Sequence, residues 1–274
     1  LRIVILAPGV YSETSCAVAV QLAESGYVPS GALALSTVNW QTLLRKIGQT
    51  GLREVMRYGT AKLVLSRPAQ AGKLFNPYLQ SFLSSDVLFR NLQQVSRYYD
   101  FPLTSCRSQN DVTAIEQLKD WNPDLLIFTG GNLLREEVLA IPRLGVLNVH
   151  LGLLPEVRGM NSPEWSLLQN VPVGITIHFM DAGIDTGPIV GRYELPDRGG
   201  CLSLVDLRNR LIAFGIAKLV EAVAALDRQA ARPIPQSRAD RKEQFFVMHE
   251  WLQARAAERL ASNLRATAQW VAQA

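Results

Sequence analysis

Short apolar runs without polar alternation constrain this chain most. Residues 2–6 and 124–129 carry them, and Gly145–Val149 reads the same way. A strand without alternation has both faces buried, which is expected where helices cover both faces of a parallel sheet. The first run is closed by Pro8-Gly9 and followed by a helical pattern at about 12–25, with Ser12 or Thr14 as N-cap. Residues 30–36 supply a second strand. Strand, helix, strand is the opening of a doubly wound α/β sheet.

The same rhythm returns further on. Phe101–Cys106 reads as a strand, Asp111 caps a helix over 111–120, and a short helix runs through 134–140. Residues 173–180 and 188–195 read as two antiparallel strands joined by the loop Asp181-Ala-Gly-Ile-Asp185-Thr-Gly187. Residues 202–228 form a long helix. After the break at Pro233 and Pro235, about 240–273 reads as helix with one apolar side.

Between 38 and 98 the α/β rhythm is interrupted. Leu43, Leu44, Ile47, Leu52 and Val55 recur at near-helical spacing, as do Leu83, Val87, Leu88, Leu92 and Val95. This is read as a helical insertion serving either specificity or subunit contacts. The domain reading is a catalytic domain over 1–235 containing that insertion, and a helical C-terminal extension over 236–274.

Composition closes several routes. Hydrophobic residues are 48% of the chain, enough for an ordinary core. The net charge is +4, with Lys and Arg spread along the chain. Spread charge means a solvated surface, so no nucleic-acid partner is expected. No apolar run reaches the about 18 residues of a membrane span, so no membrane partner is expected either. Cys16, Cys106 and Cys201 match neither a zinc spacing nor a disulfide framework. A reducing cytoplasm and no bound metal are the simplest reading. There is no G-x-G-x-x-G, P-loop or nucleophile elbow.

One cluster of polar residues could do chemistry. Asn148 and His150 are two apart at the end of a buried strand, so their side chains share a face. The carboxyl ends of strands in open α/β sheets are where ligands bind. An Asn amide can donate to a developing oxyanion, and a His can accept a proton near neutral pH. Asp185 lies in a glycine-flanked loop able to fold back over that strand end. Each residue has a plainer reading: His150 as a core histidine, Asn148 as a turn residue, Asp185 as a turn-former. His178, in mid-strand, reads as structural.

The ordered motifs around these residues resemble the folate-dependent formyltransferase family. They are Asn148-x-His150, Leu154-Pro155, Arg158-Gly159, Gly174-x-Thr176 and Asp185-x-Gly187, with Gly130-Gly131-Asn132-Leu133-Leu134 upstream. The resemblance covers roughly 120–195, is looser at 1–36 and is absent across the insertion. It implies a Rossmann-like, doubly wound, mostly parallel sheet. It implies Asn148, His150 and Asp185 as the catalytic trio and 10-formyltetrahydrofolate as cosubstrate. The pterin is then expected near Gly130, Gly131, Asn132 and Leu134 and near Asp181, Ala182, Gly183 and Ile184, read largely by backbone groups.

Departures from the family pattern narrow the acceptor. Ala7-Pro8-Gly9-Val10-Tyr11-Ser12 lacks the glycine-rich phosphate loop of the glycinamide ribonucleotide enzymes. About forty helical residues follow Pro235, where methionyl-tRNA formyltransferases carry a β-barrel. Formyl-folate hydrolases carry a regulatory domain ahead of the catalytic one, and none precedes residue 1. Gly152 stands where many relatives have Ser. The expectation is therefore N-formylation of a small-molecule primary amine, as in the sugar and secondary-metabolite branch. The amine would be an amino sugar nucleotide, an amino acid derivative or a peptide. Formyl-folate hydrolysis and a non-catalytic folate- or partner-binding role remain the alternatives. The C-terminal helix either caps the core or pairs subunits as a homodimer.

Overall fold

A computed structural model describes residues 1–36, 76–82, 89–196, 201–237 and 243–273. Most of the 38–98 insertion lies outside the described residues. The chain divides into two compact units, one over Arg2–Pro123 with Thr129–Leu134, the other over Asp124–Phe128 and Arg135–Ala274.

In the first unit, β1 (Ile3–Ala7), β2 (Gly31–Leu35) and β3 (Leu103–Cys106) are parallel in the order β3-β2-β1. Val4 lies opposite Gly31 and Ala32 opposite Leu103. Every residue of β1 is fully buried, as its unalternating sequence requires. Helix α1 (Glu13–Glu24) begins at Ser12, whose hydroxyl accepts from Ser15 N at 3.2 Å. Helix α2 (Leu92–Tyr98) follows, then α3 (Val112–Trp121). Asp111 precedes α3 but does not cap it through its side chain. Its carboxylate accepts from Ser108 N at 2.9 Å, closing the 108–111 turn instead.

The second unit holds β4 (Leu125–Phe128), α4 (Glu136–Leu139), β5 (Gly145–His150), β6 (Arg158–Gly159), α5 (Ser162–Gln169), β7 (Gly174–Phe179) and β8 (Ile189–Glu194). Helix α6 (Leu204–Asp227), β9 (Gln244–Phe245) and helix α7 (Glu250–Gln273) complete it. β4 and β5 are parallel, while β7 runs antiparallel to both β5 and β8. α6 lies so close to the sheet that a side chain at Gly215 would strike Val149.

The C-terminal extension differs from the continuous helix expected. β9 pairs in parallel with β6, setting Phe245 opposite Gly159, and α7 begins only at Glu250. Phe245 also stacks on Trp165 of α5, with centroids 4.6 Å apart. Two apolar rings and a short ladder thus take residues 244–245 out of the helix. Among the described residues, no helix is long and apolar enough to cross a membrane.

Candidate active site

The site grows from the end of β5 and its antiparallel neighbour. The register of β5 and β7 places Asn148 opposite His178 and His150 opposite Thr176. Asn148 and His150 then leave the same face of β5, as their spacing requires. The 181–187 loop returns over that face and brings in Asp185, with Oδ2 3.4 Å from His150 Nδ1. The structure therefore gathers Asn148, His150 and Asp185 in one place, within one unit.

Hydrogen-bond partners settle how the two imidazoles sit. His150 Nε2 lies 2.8 Å from the Val157 carbonyl oxygen. A carbonyl only accepts, so this nitrogen carries a proton and Nδ1 faces the Asp185 carboxylate. His178 Nδ1 lies 2.8 Å from the Phe179 carbonyl, so it is the protonated nitrogen of that ring. His178 Nε2 is left as an acceptor and receives the Asn148 amide Nδ2 at 3.1 Å. This fixes which way the Asn148 amide points. One of its N–H groups is held by His178, and no hydrogen bond from the other is seen among the described residues.

His178 is almost fully buried. Burial lowers its pKa below the ordinary 6.5. The Asp185 carboxylate pulls it back up, and His150 adds a smaller push downward. Although Asp185 Oδ1 is 3.7 Å from His178 Nε2, that nitrogen has no proton to offer, so the contact is not an ion pair. A consequence follows for pH. Well above pH 6.5 His178 is neutral in folded and unfolded chains alike. Below it the unfolded chain binds the proton first, so stability falls as pH falls. His178→Gln is expected to remove part of the decline in Tm on titration below pH 6.5. Identical pH slopes for variant and parent would refute this.

Asp185 is held on every side. Its Oδ2 accepts from Gly159 N at 2.9 Å. Its backbone is left-handed, with φ 52°, a conformation that persists only when the surroundings impose it. The imposing group is Gln236 of the extension, whose Nε2 donates to the carbonyls of Asp185 (3.1 Å) and Gly187 (2.7 Å). Gly159 has φ 102°, and a side chain there would run into the Phe245 carbonyl. Only glycine permits β9 to close on the segment that donates to Asp185. Earlier in the loop, Asp181 Oδ1 accepts from Gly183 N (3.0 Å) and Thr186 Oγ1 (2.6 Å). Ala182 and Gly183 are exposed, and Ile184 is half-buried.

Gly130, Gly131, Asn132 and Leu134 lie in the first unit. There Gln109, fully buried, organises them. Its amide nitrogen donates to the carbonyls of Ala7 (3.3 Å) and Gly130 (3.2 Å), and its amide oxygen accepts from Asn132 N at 3.2 Å. Asn132 Oδ1 accepts from Gln109 N at 3.3 Å, so that side chain is engaged within the loop. A side chain at Gly131 would collide with the Gln109 amide.

Four contributors were not anticipated from sequence: His178 as the anchor of Asn148, Ser162 beside His150, Gln236 on the Asp185 turn and Gln109 under the glycine pair. Only His178 carried a signal, as a polar residue in mid-strand within the ordered motifs, and it was read as structural.

The formyl transferase family profile matches residues 53–223. Methionyl-tRNA formyltransferase of Synechococcus elongatus is 36% identical over 149 residues, 52% of this chain and 44% of that protein. The chain spans about half the length of the curated relatives it matches. Glycinamide ribonucleotide transformylase 1 from Symbiobacterium toebii aligns with a TM-score of 0.56 at 19% identity, covering 85% of this chain and 94% of that one. A sugar N-formyltransferase from a Shewanella species aligns with a TM-score of 0.52 at 16% identity, covering 90% and 76%.

The fold is thus the Rossmann-like α/β fold of these proteins, with a mostly parallel mixed sheet flanked by helices. The chain belongs to the formyl transferase family. The match begins at residue 53, so the likeness reaches further into the 38–98 stretch than the motifs indicated.

Proposed function

We propose that this chain transfers a formyl group from 10-formyltetrahydrofolate to a primary amine of a small molecule. One observation carries the reading. Asn148 presents an oriented amide N–H beside His150, and His150 in turn faces the Asp185 carboxylate. Formyl transfer to an amine needs an oxyanion donor and a proton carrier side by side.

The residues fit such a cosubstrate. Asn148 has a donor to spend on a formyl oxygen, and Ala182-Gly183 exposes a stretch of main chain nearly bare of side chains, suited to reading a flat heterocycle through backbone groups. Gly130, Gly131, Asn132 and Leu134, which the resemblance expects near the pterin, lie in the other unit. When bound, formyl-folate supplies the activated formyl group.

Asn148 donates to the formyl oxygen as the amine adds and negative charge gathers there. Its orientation is set in advance by His178, so no reorganisation is needed as the charge forms. His150 takes the proton that the amine nitrogen loses, through Nδ1 or a water beside it. Asp185, whose carboxylate lies 3.4 Å away, keeps that nitrogen directed. His150 then returns the proton to the leaving nitrogen of the folate. A C–N bond forms to the acceptor, one breaks to the donor, and the proton count closes.

Methionyl-tRNA is the second reading for the acceptor, favoured by the sequence relatives. Its aminoacyl group is also a primary amine, so the chemistry at Asn148 and His150 is unchanged. The proposal also places the reaction in the cytoplasm, supported by three buried cysteines, Cys16, Cys106 and Cys201, that form no disulfide among the described residues.

One assay tests the proposal. The protein is incubated with 10-formyltetrahydrofolate and pools of amino sugar nucleotides, amino acid derivatives, peptides or methionyl-tRNA. The expected result is a mass gain of one CO on a small-molecule amine. A gain on methionyl-tRNA alone would overturn the small-molecule acceptor. Formate release without an amine would identify a hydrolase. Folate binding with no turnover on any acceptor would make the chain a binding protein.

A further inference from the structure

His150 has a third neighbour that the trio does not include. Ser162, the first residue of α5, is nearly fully buried and sets its Oγ 3.2 Å from His150 Nε2 and 3.0 Å from the Gly159 carbonyl oxygen. The space it occupies exists because residue 152 has no side chain. A Cβ at Gly152 would come 2.8 Å from Ser162 Cβ, 2.9 Å from His150 Nε2 and 2.9 Å from the Val157 oxygen. All three are closer than packed atoms tolerate.

The glycine is not there for its backbone, because Gly152 is not among the left-handed glycines. Nor can its main chain draw back. Thr176 Oγ1 donates to the Gly152 carbonyl at 2.7 Å while accepting from Leu154 N at 3.0 Å, which pins the turn to β7. Ser162 is fixed from its own side as well, its carbonyl accepting from Ser166 Oγ at 2.9 Å. Steric fit alone therefore pairs a missing side chain at 152 with a hydroxyl at 162.

We propose that Ser162, admitted against the imidazole by the bare Gly152, is the positioning residue that holds His150 from the edge opposite Asp185. The hydroxyl has one proton and can turn it either way. While Nε2 carries a proton, Ser162 donates to Gly159 and accepts from the ring beside the Val157 carbonyl. Should the proton leave Nε2, Ser162 turns and donates to it. The ring is thereby kept in one place whichever nitrogen is protonated, with Nδ1 always toward Asp185. Ser162 also bridges His150 to Gly159, whose N–H holds Asp185, so both members of the pair hang on one short segment.

The test uses the full chain and the small number of its histidines, three in all. In ¹⁵N spectra of histidine-labelled protein, Ser162→Ala is expected to move both ring resonances of His150 and leave those of His178 and His249 in place. Gly152→Ala, which pushes on the same hydroxyl and ring, is expected to move the same pair. Unchanged His150 resonances in a folded Ser162→Ala protein would overturn the proposal. The kinetic arm rests on formyl transfer as read above. There Ser162→Ala is expected to lower kcat by about tenfold with both KM values within about twofold. Made in a His150→Ala background, it is expected to cost nothing further. An equal loss in both backgrounds would also overturn the proposal. The spectra need no turnover, so a chain inactive toward every amine would sink the functional reading while leaving this test intact.

Discussion

Replacing His150 by alanine is expected to lower kcat by about 10²–10⁴-fold while the KM for formyl-folate changes little. The reason lies in where the ring sits. His150 is buried, its Nε2 spent on the Val157 carbonyl and Ser162, and only Nδ1 is directed at an ionisable partner. On the proposed function the side chain supplies proton transfer and orientation rather than contact area for a pterin, so its loss is expected to fall on turnover. Asp185→Asn is expected to follow it closely. An asparagine that keeps the hydrogen bond from Gly159 N must place its NH₂ where Oδ1 now stands, 3.7 Å from His178 Nε2. There it competes with Asn148 for the one acceptor on His178, so the substitution disturbs both halves of the site. The measurement is steady-state kinetics with saturating amine. Turnover within about fivefold of the parent in either variant would remove that residue from the mechanism.

Much of this arrangement was legible before any coordinates. The unalternating runs at 2–6, 124–129 and 145–149 announced strands buried on both faces, and β1, β4 and β5 lie there. The i, i+2 spacing of Asn148 and His150 at a strand end required a shared face, and the glycine-flanked loop around Asp185 had the length to return to it. Other parts could not be read because they depend on register and long-range contact. His178 meets Asn148 only because β7 pairs antiparallel to β5 in one register, and a slip by one residue would turn it away. β9 is two residues long, too short to show a period, and exists only because β6 and Trp165 receive it. Gln236 and Ser162 are single polar residues 51 and 12 positions from the groups they hold, with nothing nearby to mark them. Spacing thus marked the residues that come together in the candidate site, whereas the residues that fix their orientation follow from tertiary packing.

Asn148 offers the sharper test of whether orientation matters. Asn148→Ala is expected to cost about 10²–10³-fold in kcat, the usual loss when one preorganised oxyanion donor is removed. The plainer reading of Asn148, a turn residue at a strand end, predicts a loss of stability and little loss of turnover. Asn148→Asp separates the two. The aspartate has the same shape and would keep the strand end, but it has no N–H for a formyl oxygen, and its carboxylate would face the unprotonated Nε2 of His178. Burial opposes the protonation of His178 that would relieve this contact. The aspartate variant is therefore expected to be at least as impaired in kcat as the alanine variant at neutral pH. Acidification is expected to relieve that contact without restoring activity, because a protonated His178 can then donate to the new carboxylate while the oxyanion donor is still missing. If Asn148→Asp keeps more than about a tenth of parental kcat, the oxyanion role passes to another group, and His150 is the donor left beside it.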